Sequence, residues 1–148
     1  MNSFIILGIV VFAISFAGVY YVNYTAETPY SFTPPYYFAI GDMMSQINAF
    51  LFVFIVSAAF FGLAVPIALG IEGLKYASLL STASMPAFDL LFAIPQLFAA
   101  YSASLLGQGA VEDYQGRGSV FAYWSDSVKW FVVGAVMLGI LWLARPYF

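Results

Sequence analysis

The chain has 148 residues, of which 64% are hydrophobic, 20% aromatic and only 7% charged, with a net charge of −3 from four basic and seven acidic side chains. A water-soluble globule carries about a quarter charged residues, so this composition leaves too little polar surface to face water and calls for lipid as solvent. With no cysteine and no histidine, disulfides, thiolate metal sites, thiol nucleophiles and imidazole proton shuttles are excluded, and so sparse a charge selects neither nucleic acid nor an anionic surface as partner.

Residues 4–22 form the first apolar segment, long enough at about 1.5 Å per residue to cross a hydrocarbon core of about 30 Å. It has no basic flank and no clear small-residue cleavage site, and reads as a retained anchor rather than a removed signal peptide. Residues 23–37 carry Pro29, Pro34 and Pro35 among Tyr, Thr and Ser, which resists helix and suits an extended outer loop with tyrosines at headgroup level. Asn23-Tyr24-Thr25 is an N-glycosylation sequon, usable only if this loop faces outside; chance occurrence is the competing reading.

Residues 43–83 form a second apolar region about twice the length of one crossing. Gly62 and Pro66 interrupt it and predict two helices, about 44–63 and 66–81. The alternative is one kinked crossing followed by an interfacial piece containing Glu72 and Lys75. Ser84-Met85-Pro86 reads as the next turn, and residues 88–106 as a fourth segment with Pro95 as an internal kink. Residues 107–126 are the one long polar stretch and are expected to emerge as a loop. Residues 128–143 form the last crossing, with Trp124, Trp130, Trp142, Arg145, Tyr147 and Phe148 as interfacial anchors.

With five crossings and the amino terminus inside, the 107–126 loop and the nearby Arg117 and Lys129 lie in the cytoplasm, as the positive-inside tendency prefers, while Arg145 lies outside. A four-crossing chain puts that loop outside.

The intramembrane polar candidates are Gln46, Asn48, Glu72, Lys75 and Asp89. An ionisable group at membrane depth costs about 3 kcal/mol on insertion scales and is therefore paired, snorkelling or functional. Glu72 and Lys75, three apart, share a helix face and can neutralise each other; the alternative is a polar site for an ion, proton or headgroup. Asp89, in a first turn, suits capping of free amides, and Asp42 with Ser45 reads the same way. Gln46 and Asn48 are expected to face protein. Small residues at four-residue spacing, Ala58/Gly62, Ala64/Ala68, Gly73/Ala77, Ala99/Ala103, Ala100/Ser104 and Ala135/Gly139, allow close helix approach within or between subunits. Gly107-Gln108-Gly109 and Gly116-Arg117-Gly118 lack phosphate-loop spacing and read as flexible-loop glycines.

From about Gln46 onward the sequence resembles the stage II sporulation protein M (SpoIIM) family of integral membrane proteins. The resemblance rests on Asn48, on Gly62 after a Phe-rich run, on Glu72-Gly73 where the family often shows Asn-Gly, and on Asp89 and Pro95 opening the next helix. The stretch from Ala99 to Gly107 before a polar loop and last helix completes it. The chain departs from the family pattern in lacking histidine, in Ala93 where a glutamate would stand, and in Glu72 itself. The resemblance implies a helical membrane protein acting through partners, without a catalytic site.

The expectation is an all-α, multi-pass transmembrane helical bundle of four to five helices, one domain over 1–148, with a proline-containing outer loop. It is expected to be non-enzymatic, without cofactor, metal or nucleic acid, and to associate with the bilayer and with itself or other membrane protein subunits. A small transporter or channel with a path through Glu72, Lys75 and Asp89, or a cofactor-free accessory subunit of an energy-converting complex, are the alternatives.

Overall fold

The computed structural model describes residues 3–26, 43–82 and 87–148. Pro29, Pro34, Pro35 and Pro86, with Asp42 and the Ser84-Met85 turn, lie outside the described residues. Among those described, five α-helices follow one another without a strand: α1 (Ser3–Thr25), α2 (Met43–Ala59), α3 (Val65–Ser81), α4 (Ala93–Tyr114) and α5 (Val120–Ala144). A 3-10 turn, Ala87–Phe92, leads into α4, and another, Arg145–Tyr147, follows α5.

The α2–α3 connection occurs where the sequence placed it, and its geometry has a local cause. Phe61 takes a left-handed φ of 52° and Gly62 one of 81°. The Gly62 amide donates to the Ser57 carbonyl at 2.8 Å and the Phe61 amide to Ala58 at 3.1 Å, the paired bonds of a Schellman cap. A phenylalanine at the left-handed position is strained by about 1–2 kcal/mol relative to glycine. Pro66 sits at the start of α3, where its missing N–H has no intrahelical partner to lose.

The polar stretch 107–126 differs from expectation. α4 continues to Tyr114 and α5 begins at Val120, so the connection shrinks to residues 115–119. Gly107 and Gly109 are helical and buried, and serve close approach rather than flexibility. A Cβ on Gly107 would run into the Phe61 carbonyl, and one on Gly109 would lie 3.1 Å from Val120 Cα. The true stop is Gly116, left-handed at φ 66°, with the Arg117 amide bonded back to Glu112 at 2.9 Å. Ser119 then caps α5 by accepting from the Phe121 amide at 3.2 Å. Pro95 lies inside the continuous helical stretch Ala87–Tyr114, in the first turn after 3-10 geometry gives way to α.

α1, α3 and α5 run one way and α2 and α4 the other. α1 lies along α3 in the same direction, with Gly8 against Val65 and Leu69, Gly70 against Val11, and Gly73 against the Phe12 backbone. α4 and α5 form an antiparallel pair joined by reciprocal serines: Ser102 Oγ donates to the Ser127 carbonyl at 2.6 Å and Ser127 Oγ to the Ser102 carbonyl at 2.9 Å. Removing both hydroxyls, as Ser102→Ala with Ser127→Ala, is expected to lower stability by about 1–2 kcal/mol in a mixed-micelle unfolding titration.

α3 and α4 make the centre, with Ala68, Tyr76, Ala77, Phe92, Ala99, Ala100 and Ala103 buried. Most of the small-residue pairs thus pack inside, but Ala135/Gly139 does not. Ala135 is exposed and nothing lies within 4 Å of a Cβ at Gly139; Gly134 instead meets Phe50 and Phe98. The outer faces of α1 and α5 are apolar and exposed, including Ile14, Val22, Val132, Val136, Ile140 and Leu143. Among the described residues, three helical stretches are long and apolar enough to cross a membrane: Ser3–Thr25, Ala87–Tyr114 and Val120–Tyr147. α2 and α3 have 17 residues each, about 25 Å at the standard rise.

Candidate functional site in the bundle interior

The middle of α3 carries the charges. Glu72 and Lys75 form an ion pair within one helix turn, with side chains only 1% and 2% exposed. Their i,i+3 spacing puts both on the face that α3 turns inward. The sequence allowed either a pair near the surface or an interior polar site, and the pair lies in the interior. Apart from the Lys75 ammonium, the Glu72 carboxylate has no partner among the described residues.

Tyr76, four residues beyond Glu72, joins the same face. Its hydroxyl accepts from Gln96 Nε2 of α4 at 3.1 Å, and the Lys75 ammonium lies 5.0 Å from its ring centroid. Phe12 of α1 faces the same ring at 6.5 Å. Tyr76 and Gln96 are wholly buried, and Gln96 Oε1 takes no hydrogen bond among the described residues. A buried acceptor left without a donor costs about 1–3 kcal/mol, so Glu72 and Gln96 together offer capacity for a further hydrogen-bond donor.

Asp89 has a different role from capping. Both carboxylate oxygens engage Arg145, Oδ1 with Nε at 2.9 Å and Oδ2 with an Nη at 2.9 Å. This fork matches planar guanidinium to planar carboxylate. Asp89 is 1% exposed and Arg145 27%, so the pair clasps the carboxyl-terminal end of α5 to the 3-10 turn before α4. The Arg145 guanidinium lies 5.5 Å from the Trp142 ring centroid, and Phe88 stacks on Phe148 at 4.7 Å. Arg145→Met strands a buried carboxylate, and a loss of about 3–5 kcal/mol is expected, against a smaller loss for Asp89→Asn, whose partner can turn to solvent. Thermal unfolding of the two purified variants compares them directly.

The remaining candidates divide. Gln46 is buried on α2, but Asn48 is exposed: two residues along a helix turn it by about 200°, to the opposite face. Asn23 is buried in the last turn of α1, and the amide nitrogen that a glycan would occupy donates to Ser81 Oγ of α3 at 2.6 Å. The structure therefore brings Glu72 and Lys75 together, leaves Asp89 with Arg145, and adds Tyr76 and Gln96. The sequence held a signal for both additions, since Tyr76 is one turn from Glu72 and Gln96 is a lone amide in an uncharged run. Among the described residues no cluster of three or more Asp or Glu gathers as a metal site.

No family model, curated protein or solved structure matches the chain.

Proposed function

We propose that the chain is a non-enzymatic, multi-pass integral membrane protein of SpoIIM-like type that assembles with itself or with other membrane subunits. The observation that carries the membrane reading is the exposed apolar shell of α1 and α5 around an interior in which the charges are paired. In water such a surface would aggregate; in lipid it is the solvated face. All five helices cross in this reading, α2 and α3 as shorter rods. The pairing of Lys75 with Glu72 and of Arg145 with Asp89 leaves Arg117, in the connection 115–119, and Lys129, in the half of α5 nearer to that connection. The positive-inside tendency of these two residues puts that end in the cytoplasm, with Arg145 on the opposite side.

The assembly role rests on the family resemblance and on the outward Ala135/Gly139 pair, which allows another helix to approach α5 closely. In mild detergent the chain is expected to migrate as a complex, and Gly139→Leu to release single subunits. Migration of the unaltered chain as a dispersed single subunit would remove the assembly role.

The Glu72 carboxylate and Gln96 Oε1, with their unfilled acceptor capacity, favour one second reading, a small transporter with its polar path through the interior. Proteoliposome flux that falls with Glu72→Gln supports it; unchanged flux takes Glu72 out of the path.

A further inference from the structure

We propose that a second copy of the chain packs on the outer face of α5, as a parallel two-helix seam in which Asp126 of each copy pairs with Lys129 of the other. The seam rests on the assembly reading and names the partner. α5 turns Ser127 and Gly134 inward, onto Ser102 of α4 and onto Phe50 and Phe98. At about 100° per residue, the side facing away from the bundle carries Asp126, Lys129, Val133, Val136, Ile140 and Leu143, all exposed. Their spacing alternates between three and four residues, the repeat by which two helices wind round each other.

Any apolar helix offers apolar positions at that spacing; charge sets this face apart. Asp126 and Lys129 stand exposed where the 128–143 crossing begins, and among the described residues neither pairs with an opposite charge. The Lys129 ammonium lies instead 5.8 Å from the ring centroid of the adjoining Trp130. Ionisable side chains turned toward lipid are costly and are met elsewhere by a partner charge. In a parallel seam the two core positions of each turn pack against each other across the helices, so Asp126 of one copy neighbours Lys129 of the other, and twofold symmetry makes the contact twice. The face is therefore complementary to itself, whereas an acyl chain or an uncharged helix leaves both charges unmatched. All copies insert in one orientation, which makes the seam parallel. Gly139 borders the hole that receives Ile140 of the second copy, and nothing within the chain lies within 4 Å of its Cβ position.

The chain has no cysteine, so single cysteines map the seam in isolated membranes of cells expressing the full chain. Oxidation is expected to cross-link Val136→Cys and Ile140→Cys as dimers, and Ala135→Cys, on the flank of α5, far less. On the Val136→Cys background, Asp126→Lys and Lys129→Asp are each expected to lower the cross-linked fraction about tenfold, because each sets like charges against one another. Co-expressing the two charge variants, or combining both exchanges in one chain, is expected to restore it. Cross-linking strongest at Ala135→Cys, a fraction indifferent to either exchange, or one that neither combination restores overturns the seam. Migration in mild detergent separates the premise from the seam: a single dispersed subunit overturns both, whereas a complex without this cross-linking pattern overturns the seam alone.

Discussion

Lys75→Met is expected to destabilise the bundle by about 3–5 kcal/mol, because it leaves the Glu72 carboxylate charged, buried and without its partner among the described residues. Glu72→Leu combined with Lys75→Met is expected to recover most of that loss. Desolvating two charges offsets much of their mutual attraction, and two apolar side chains of similar volume avoid the desolvation altogether. A chain stabilised mainly by hydrophobic packing of α3 would respond in this non-additive way, and a double-mutant cycle of mixed-micelle unfolding free energies measures it. Additive losses would mean that Glu72 and Lys75 are not coupled, and a double variant left far less stable than the unaltered chain would mean that the ion pair is a net source of stability. If Lys75→Met instead unfolds nothing, the carboxylate has found another cation or a proton, and the interior is wetter than its burial implies.

Gly107→Val is the second large effect. Gly107 lies where the α2–α3 turn is pressed onto α4, and a Cβ there would occupy the space of the Phe61 carbonyl and the Gly62 amide. The obstacle is backbone held in a Schellman cap, so it cannot swing aside as a side chain would. A loss of about 3 kcal/mol is expected, at the upper end of overpacking penalties, even though leaving glycine would by itself favour the helix. Gly18→Ala is the control. Nothing lies within 4 Å of its Cβ position, and a gain of up to about 1 kcal/mol from helix propensity is expected. Equal responses at the two positions would show that the turn does not dock on α4.

Much of the architecture was legible in the sequence because uncharged runs long enough to be rods are hard to hide. The α2–α3 break could be placed from Gly62 and Pro66, since left-handed φ and a missing amide leave few alternatives. The extent of α4 was not legible. Gly107, Gly109, Gln108 and Glu112 read as a loop because composition counts polarity and glycine, whereas here glycine makes room for a neighbouring backbone and Glu112 is satisfied across the hairpin by Tyr123. Pairing showed the same limit. The Glu72–Lys75 ion pair is local, and i,i+3 spacing reveals it. Asp89 with Arg145 and Tyr76 with Gln96 are separated by 56 and 20 residues, and only the fold brings them together. Asn48 and Gln46 looked alike as amides at a helix start, yet helical phase alone sends one inward and the other out.

The central claim, that five rods cross one bilayer around a charged but dry interior, is tested most directly by sidedness. The chain contains no cysteine, so single cysteines at Ser31 and Ser119 report without background to a membrane-impermeant maleimide applied to intact cells or inverted vesicles. Five crossings predict that Ser31→Cys is labelled from one face and Ser119→Cys from the other. Labelling of both from the same face would contradict that count and with it the assignment of α2 and α3 as separate crossings.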